Sequence, residues 1–573
     1  MSAALQVLWS AAGAAQQAPR LAAAFQPLLA AVSPVPVTLP AQTAPLVTQP
    51  AITVPPTTTT PVPATTPAAP GLELPSVLLS TVVWITTVAA LVIVFLPERT
   101  ADQRSRVRSL ALFASASALV LTLYTLGTAV SLGVAATADQ LHEENASWIT
   151  RFAFTIHYHL SADGITLTLL VMSTLIFTSV FLAAWKRHER VRLYCGLLLL
   201  VETAVNGALC STDLVLFVLF FAMQVVPLCL LVRCFGGAGR ERAAWRTAVA
   251  GLTSSALLLI AFLLVIVHSG THSSDMTDLA NATSPLLDKV AIAGFWLTFS
   301  AFAIGFVLVP LHTWVLDATA AASSGVAAVI AGVVVRLSGY GMLRFSIGLF
   351  PIQAQRYGTA LMVLAVFSAV WGVLVTLAQR TLRRVVAAVS IGQMSLVLLA
   401  IASPNTISLS GAVFQLVAGG LSSALLLLVC GAIEGRTRSV PLDRLGGLAA
   451  RAPRLGGFWV FACLAALGAP LLAGFSAEVM LFTGAFPVHP YATVFVMAST
   501  AVSTGALLWS ARRVFMGPVI EEFERVRDAT ALELSYLWPL VVFLIAFGLL
   551  AGRVVPVIGT GLVRLAASVG GGQ

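Results

Sequence analysis

The chain has 573 residues, of which 58% are apolar and only 10% charged, with a net charge of +9 and a mean hydropathy of +0.95. A soluble domain carries about a quarter charged residues, so this composition excludes one and leaves a polytopic membrane protein. The pI near 9.7 does not point to nucleic acid, because the basic residues sit in short loops between apolar runs, where they act as topology signals.

Residues 1–75 read as a low-complexity extension. Its Pro/Thr/Ala tract cannot bury a core and is expected to be disordered or polyproline-like. The first twenty residues lack a basic n-region and a clean apolar h-region, so no cleaved signal peptide is expected. Apolar runs long enough to span a bilayer then follow at about 76–96, 108–134, 165–185, 193–210, 213–233, 245–268, 289–309, 323–348, 358–378, 384–402, 408–433, 456–483, 489–511 and 534–556, before a short tail over 557–573. These make about fourteen spans in an all-α bundle.

Connections after odd-numbered spans, except the His312–Asp317 turn after the seventh, are basic, for example Arg99, Arg104, Arg106 and Arg108, then Lys186, Arg187, Arg190 and Arg192. Those after even spans are short or acidic, such as Asp139, Glu143 and Glu144. The positive-inside rule therefore predicts basic loops in the cytoplasm and both termini outside. Lysine is confined to Lys186 and Lys289, so a lysine relay within the membrane is impossible. The six cysteines, Cys195, Cys210, Cys229, Cys234, Cys430 and Cys463, show no CxxC spacing and read as small core residues. No dinucleotide fingerprint or P-loop occurs.

The most informative stretch is 301–350. An apolar run ends at Val309-Pro310, an amphipathic turn from Leu311 to Asp317 follows, and a second apolar run contains Arg336 and Arg344. Proline breaks the helical ladder. An arginine inside a span marks a functional candidate, and irregular backbone at that depth requires protein or a watery cavity around it. A second break is expected at Ala469-Pro470 with Gly474, in the twelfth span.

The segments Pro310-Leu311-His312-Thr313-Trp314-Val315-Leu316-Asp317-Ala318 and Arg336-Leu337-Ser338-Gly339-Tyr340-Gly341-Met342-Leu343-Arg344-Phe345 resemble the signature of the antiporter-like subunits of respiratory complex I, subunit M (chain 4) above all. Relatives of that family occur in cation/proton antiporters and membrane-bound hydrogenases. The resemblance covers roughly 76–556. It implies two inverted five-helix repeats, near spans 4–8 and 9–13, each with one broken helix (spans 7 and 12).

The resemblance also implies a line of ionisable groups along the bundle, most of which this chain lacks. The fifth-span glutamate falls on Ala222 and its lysine partner on Gly305. The eighth-span lysine falls on Arg336, which keeps its charge but cannot be deprotonated. The tenth- and eleventh-span histidines fall on Gln393 and Gly419, and only the twelfth-span glutamate survives, as Glu478. Loss of both members of a buried pair leaves no orphaned charge, as adaptation to another role would require.

Four residues remain as proton-path candidates: Glu478, Glu202, Arg336 and His312. Glu202 reads either as a structural ion-pair partner of Arg336 or as part of a residual proton route, and His312 as a proton-uptake or a structural group. Asp213 is expected to cap a helix, Asp317 to cap the eighth span or pair with a loop arginine, and Arg344 to snorkel to the headgroups. His157 and His159 fall in an outer loop without the companions of a metal site, and Asp163-Gly164 reads as a structural turn.

The resemblance implies a membrane-arm subunit of a proton-translocating NADH:quinone oxidoreductase in a bacterial cytoplasmic membrane. It would be flanked by other membrane-arm subunits, hold no redox cofactor of its own, and have a weakened or altered channel. Two alternatives stay open: a scaffold subunit that moves no protons, and a subunit of a cation/proton antiporter or bicarbonate-uptake complex.

Overall fold

A computed structural model of the protein describes residues 77–131, 142–149, 154–271, 273–280, 287–437, 442, 445–518, 523 and 526–570. The extension expected over 1–75 lies outside the described residues.

The chain begins with helices α1 (Leu78–Phe95) and α2 (Ala101–Ser131), followed by strands β1 (His142–Ile149) and β2 (Ile156–Ala162). Helices α3 (Gly164–Ala183), α4 (Val191–Cys210), α5 (Leu214–Met223), α6 (Val225–Phe235), α7 (Arg240–Ser269) and the short α8 (Met276–Ala280) come next. Then follow α9 (Asp288–Gly305), α10 (Thr313–Ala321), α11 (Ser324–Ile347), α12 (Pro351–Arg356), α13 (Gly358–Leu377), α14 (Leu382–Ala402) and α15 (Thr406–Thr437). The chain closes with α16 (Pro453–Ala466), α17 (Ala473–Ala485), α18 (Pro490–Phe515), α19 (Ala531–Leu549) and α20 (Ala551–Gly570).

Among the described residues, 13 helices are long and apolar enough to cross a membrane. The remaining predicted crossing, the twelfth, is the pair α16–α17, each too short to span alone. Pro227 interrupts the fifth crossing: it cannot donate to the carbonyl of Met223, so α5 ends there and α6 resumes at Val225. The predicted span 534–556 ends earlier, at Leu549, and the expected tail is helical as far as Gly570.

Burial sorts the helices. Helices α3, α11, α14 and α15 are enclosed almost all round, whereas α1, α7, α13 and α18 leave half or more of their surface outward. Exposed Val363, Phe367, Val370 and Leu374 make a continuous stripe on α13 at helical spacing. Such a stripe suits lipid as solvent, and the chain is a multi-pass membrane protein. Small residues bring the inner helices together. A Cβ on Gly420 of α15 would lie 2.6 Å from the Gly332 carbonyl oxygen of α11, so the two backbones touch.

One element departs from the all-α expectation. The predicted outer loop around His157 and His159 is an antiparallel hairpin, with His142 opposite Ala162 and Ser147 opposite His157. It is tied to the α4–α5 and α7–α8 connections by bridges Leu160–Ser211 and Thr155–Ser273. The end of the bundle that carries it is called the hairpin face below, and the opposite end, where α7, α10 and α14 meet, the arginine-rich face.

Candidate functional site

Both expected breaks are present. The first helix of the seventh crossing stops at Gly305 and the second starts at Thr313; the twelfth stops at Ala466 and resumes at Ala473. Both close with a left-handed residue, Val307 (φ 67) and Gly468 (φ 73). The next amide then reaches back five residues, Leu308 to Ala303 at 3.2 Å and Ala469 to Leu464 at 2.9 Å. This closure satisfies carbonyls that a helix end leaves free. In the first break the Trp314 indole also donates to the Ile304 carbonyl at 2.8 Å.

The first break surrounds an emptied site. Gly305, the α5 residue Phe221 next to Ala222, and Gln224 at the α5–α6 junction line a cavity of about 30 Å³. A Cβ on Gly305 would fall 2.1 Å from the Ser338 hydroxyl oxygen, so that hydroxyl occupies the space a longer side chain would need. Phe217, Phe221, Phe302 and Phe345 stack beside it, with Phe217 and Phe345 ring centroids 4.3 Å apart. The rings wall one side of the space and offer water no partners there, while Gln224, Thr247, Ser254 and Ser338 line the rest of a cavity with room for about one water.

Arg336 lies fully buried at the centre of the bundle. Its guanidinium donates to Gln393 Oε1 at 2.8 Å, to Met394 Sδ at 2.7 Å and to Ser423 Oγ at 3.4 Å. Among the described residues no carboxylate lies within ion-pair distance of it. A Cβ on Gly419 would sit 3.0 Å from Arg336 Nη2 and 2.9 Å from Gln393 Oε1. Arg336, Gln393 and Gly419 therefore form one steric and hydrogen-bonded unit. The larger guanidinium fits because position 419 has no side chain and position 393 supplies a neutral acceptor.

The expected Glu202–Arg336 ion pair does not form. Glu202, also fully buried, accepts from Ser115 Oγ at 2.8 Å, and that hydroxyl contacts Thr178 at 3.1 Å. The α2 helix thus claims the carboxylate, while Arg336 turns toward α14 and α15.

Glu478 occupies the second break. It lies half-buried on α17 with no hydrogen bond or ion pair among the described residues, and its carboxylate packs against Gly468, where a Cβ would come within 2.4 Å of Oε2. His312 is buried at the start of α10 with Nδ1 unpartnered. Asp317, one turn further, pairs with both Arg246 and Arg384. The four candidates are thus dispersed: His312 beside the first break, Arg336 central, Glu202 against α2, and Glu478 at the second break.

Arg344, expected to snorkel, is instead largely buried and pairs with Asp163, which also caps α3 through the Thr166 amide at 2.9 Å. Asp213 caps α5, accepting from Val215 and Leu216. On the hairpin, His159 is buried between Asp275, bonded to Nδ1, and Glu143, 2.9 Å from Nε2. Burial alone would lower its pKa, but the bond and charge of Asp275, with Glu143 behind them, raise it. Sequence reasoning missed Asn206, Thr166 and Tyr340. The available signal was a second polar residue one helical turn after Glu202.

The family profile described as NADH:quinone oxidoreductase/Mrp antiporter, TM, matches residues 211–504. The NAD(P)H-quinone oxidoreductase chain 4 of a Synechococcus strain is 31% identical over 500 residues, covering 84% of this chain and 90% of that relative. NADH-quinone oxidoreductase subunit M of Rhodobacter capsulatus is 30% identical over 434 residues, covering 74% of this chain and 84% of the relative. Among solved structures, a chain of respiratory complex I from Thermus thermophilus superposes with a TM-score of 0.76 at 25% identity, covering 85% of this chain and 99% of the other. A chain of the Mrp complex from a Dietzia species shares the fold, with a TM-score of 0.72 at 20% identity over 86% of this chain and 97% of its own.

Proposed function

Since the chain belongs to the NADH:quinone oxidoreductase/Mrp antiporter membrane family, we propose that it is a membrane-arm, antiporter-like subunit of a proton-translocating NADH:quinone oxidoreductase. Other membrane subunits flank it in a bacterial cytoplasmic membrane, with the arginine-rich face toward the cytoplasm. Electrons move in partner subunits. The route through the first half is closed, and Glu478 carries the proton movement the subunit retains, with Glu202, Arg336 and His312 in assisting roles.

The observation behind this reading is the contrast between the two breaks. Ser338 and a phenylalanine cluster fill the first, whereas the second keeps an unpartnered carboxylate against a glycine. A carboxylate free of structural bonds at bilayer depth is a group available for proton transfer. Arg336 carries no proton itself, since a guanidinium does not release its own; it assists as a fixed positive charge that biases the proton affinity of the groups around it.

The test is E478Q in the intact complex, reconstituted into vesicles, with protons pumped per electron as the readout. The expected result is a lower stoichiometry, while Q224L in the closed half leaves it unchanged. An unaltered stoichiometry in E478Q supports the scaffold reading instead, which the sealed first break independently favours. Purification of the chain with flavin and iron–sulfur subunits separates the respiratory reading from an antiporter or bicarbonate-uptake assembly.

A further inference from the structure

We propose that Glu202 exchanges its proton with the hairpin face along a hydrated column between α3 and α4, by water held at Asn206 and through Thr166 and Tyr340 to the Asp163–Arg344 pair. The column bypasses the sealed first break and does not use Arg336.

Three polar rungs join these antiparallel helices. At the first, Thr178 and Ser115 lead to Glu202 Oε1. At the second, Ser173 Oγ donates to Asn206 Oδ1 at 3.0 Å. At the third, Thr166 Oγ1 reaches the Leu209 carbonyl at 3.3 Å and the Tyr340 hydroxyl at 3.2 Å, and Tyr340 itself donates to the Leu209 carbonyl at 2.9 Å. One turn beyond Tyr340, Arg344 pairs with Asp163 and retains some solvent exposure. The register is consistent: as position on α3 falls from 178 to 173 to 166, the partner on α4 rises from 202 to 206 to 209.

Buried hydroxyls that merely satisfy themselves bond to the carbonyl one turn back, as Thr174 does. Two atoms here do not fit that account. Glu202 Oε2 and Asn206 Nδ2 are fully buried, one turn apart on α4, and neither has a partner. A buried polar atom without a partner calls for an explanation. The rise of about 6 Å between the two residues suits one ordered water bonded to both, with Ser173 nearby as a further partner. Asn206 anchors this water and does not itself relay.

The transfer is balanced. Water at the hairpin face gives up a proton, the Tyr340 and Thr166 hydroxyls each accept one and release their own, column water in the roughly 10 Å between Thr166 and Ser173 passes one on in the same way, and the water beside Asn206 delivers one to the Glu202 carboxylate. The reverse sequence returns it. Asp163, paired with Arg344, steadies the passing positive charge.

Infrared spectroscopy of the purified full-length chain in lipid nanodiscs tests this. A carboxyl C=O band that E202Q removes is expected to shift on transfer into deuterated buffer, and the shift is expected to slow at least tenfold in Y340F and in N206L. T203V, whose hydroxyl instead meets Thr86 of α1, serves as the control and should exchange like the native chain. The proposal is overturned if no exchangeable band depends on Glu202, if Y340F and N206L exchange at the native rate, or if T203V slows exchange equally. The proposal goes beyond the respiratory reading and does not need it. Exchange is read on the isolated chain, so absence of redox partners would sink that reading and leave this result standing.

Discussion

Two residues past the end of its first helix the seventh crossing has Val307 and the twelfth Gly468, both left-handed and both followed by an amide that bonds five residues back. The backbone solution is shared, yet the contents differ. Beside Val307 the cavity is small and walled by Ser338 and aromatic rings; beside Gly468 sits a free carboxylate. A helix break is thus a property of the scaffold, and whether it serves transport depends on the side chains placed around it. A β-branched residue in the left-handed region is costly, and Val307 is tolerated because it is completely buried and held by its neighbours.

The comparison can be broken most sharply by stability. R344M strands the buried Asp163 carboxylate and should cost about 3–5 kcal/mol, read by thermal unfolding in detergent. E478Q, which severs no hydrogen bond or ion pair among the described residues, should change stability by less than about 0.5 kcal/mol. Equal losses in the two variants would make Glu478 a structural residue and remove the contrast between the halves.

At the centre, Q393L withdraws the strongest acceptor from the Arg336 guanidinium and should cost about 1.5–3 kcal/mol. No loss there would mean that Arg336 turns to other partners and that the three positions are not coupled. A smaller effect distinguishes the two breaks directly. G305A drives a methyl into Ser338 and should cost about 1–3 kcal/mol, and S338G should restore it. G468A combines a left-handed conformation, about 1–2 kcal/mol for a residue with a Cβ, with displacement of Glu478. It should therefore disturb proton pumping, whereas G305A should not.

The smallest effect concerns the hairpin. Because its partners raise the His159 pKa, the charged latch stabilises fully below the ordinary histidine pKa of about 6.5 and weakens as pH rises through the higher folded value. Burial pushes the Asp275 pKa up, but the bonds from His159 and Thr277 outweigh it and leave it lowered. That contribution is present above the ordinary aspartate value and lost in acid, as pH falls through the depressed folded value. Protease sensitivity of the hairpin should therefore rise with alkaline pH in the native chain. H159Q should be more sensitive at pH 6 and show little further change as pH rises.

Much of the fold was legible because a bilayer leaves a chain few options. Every backbone group at depth must be bonded locally, so apolar runs of twenty residues become helices, and prolines and arginines stand out against them. Pro310, Pro470 and Arg336 therefore stand out in the sequence itself, whereas Glu478 came from the resemblance. The hairpin was hidden because its first strand, His142–Ile149, is polar and the segment is short and set between spans; the alternation of Phe154, Ile156, Tyr158 and Leu160 with Thr155, His157 and His159 was the legible signal of its second strand.

The amino-acid sequence by itself determined the number of crossings, the positions of both breaks and which buried positions carry charge, because hydropathy and helix-breaking act locally along the chain. Only the tertiary structure decided that Arg336 bonds Gln393 instead of Glu202, that Arg344 meets Asp163, and that Asn206, Thr166 and Tyr340 align between α3 and α4. Those partners lie 33 to 181 residues apart. Which side chains meet across such separations is set by helix rotation and the close contacts of small residues, and neither leaves a periodic trace in the sequence.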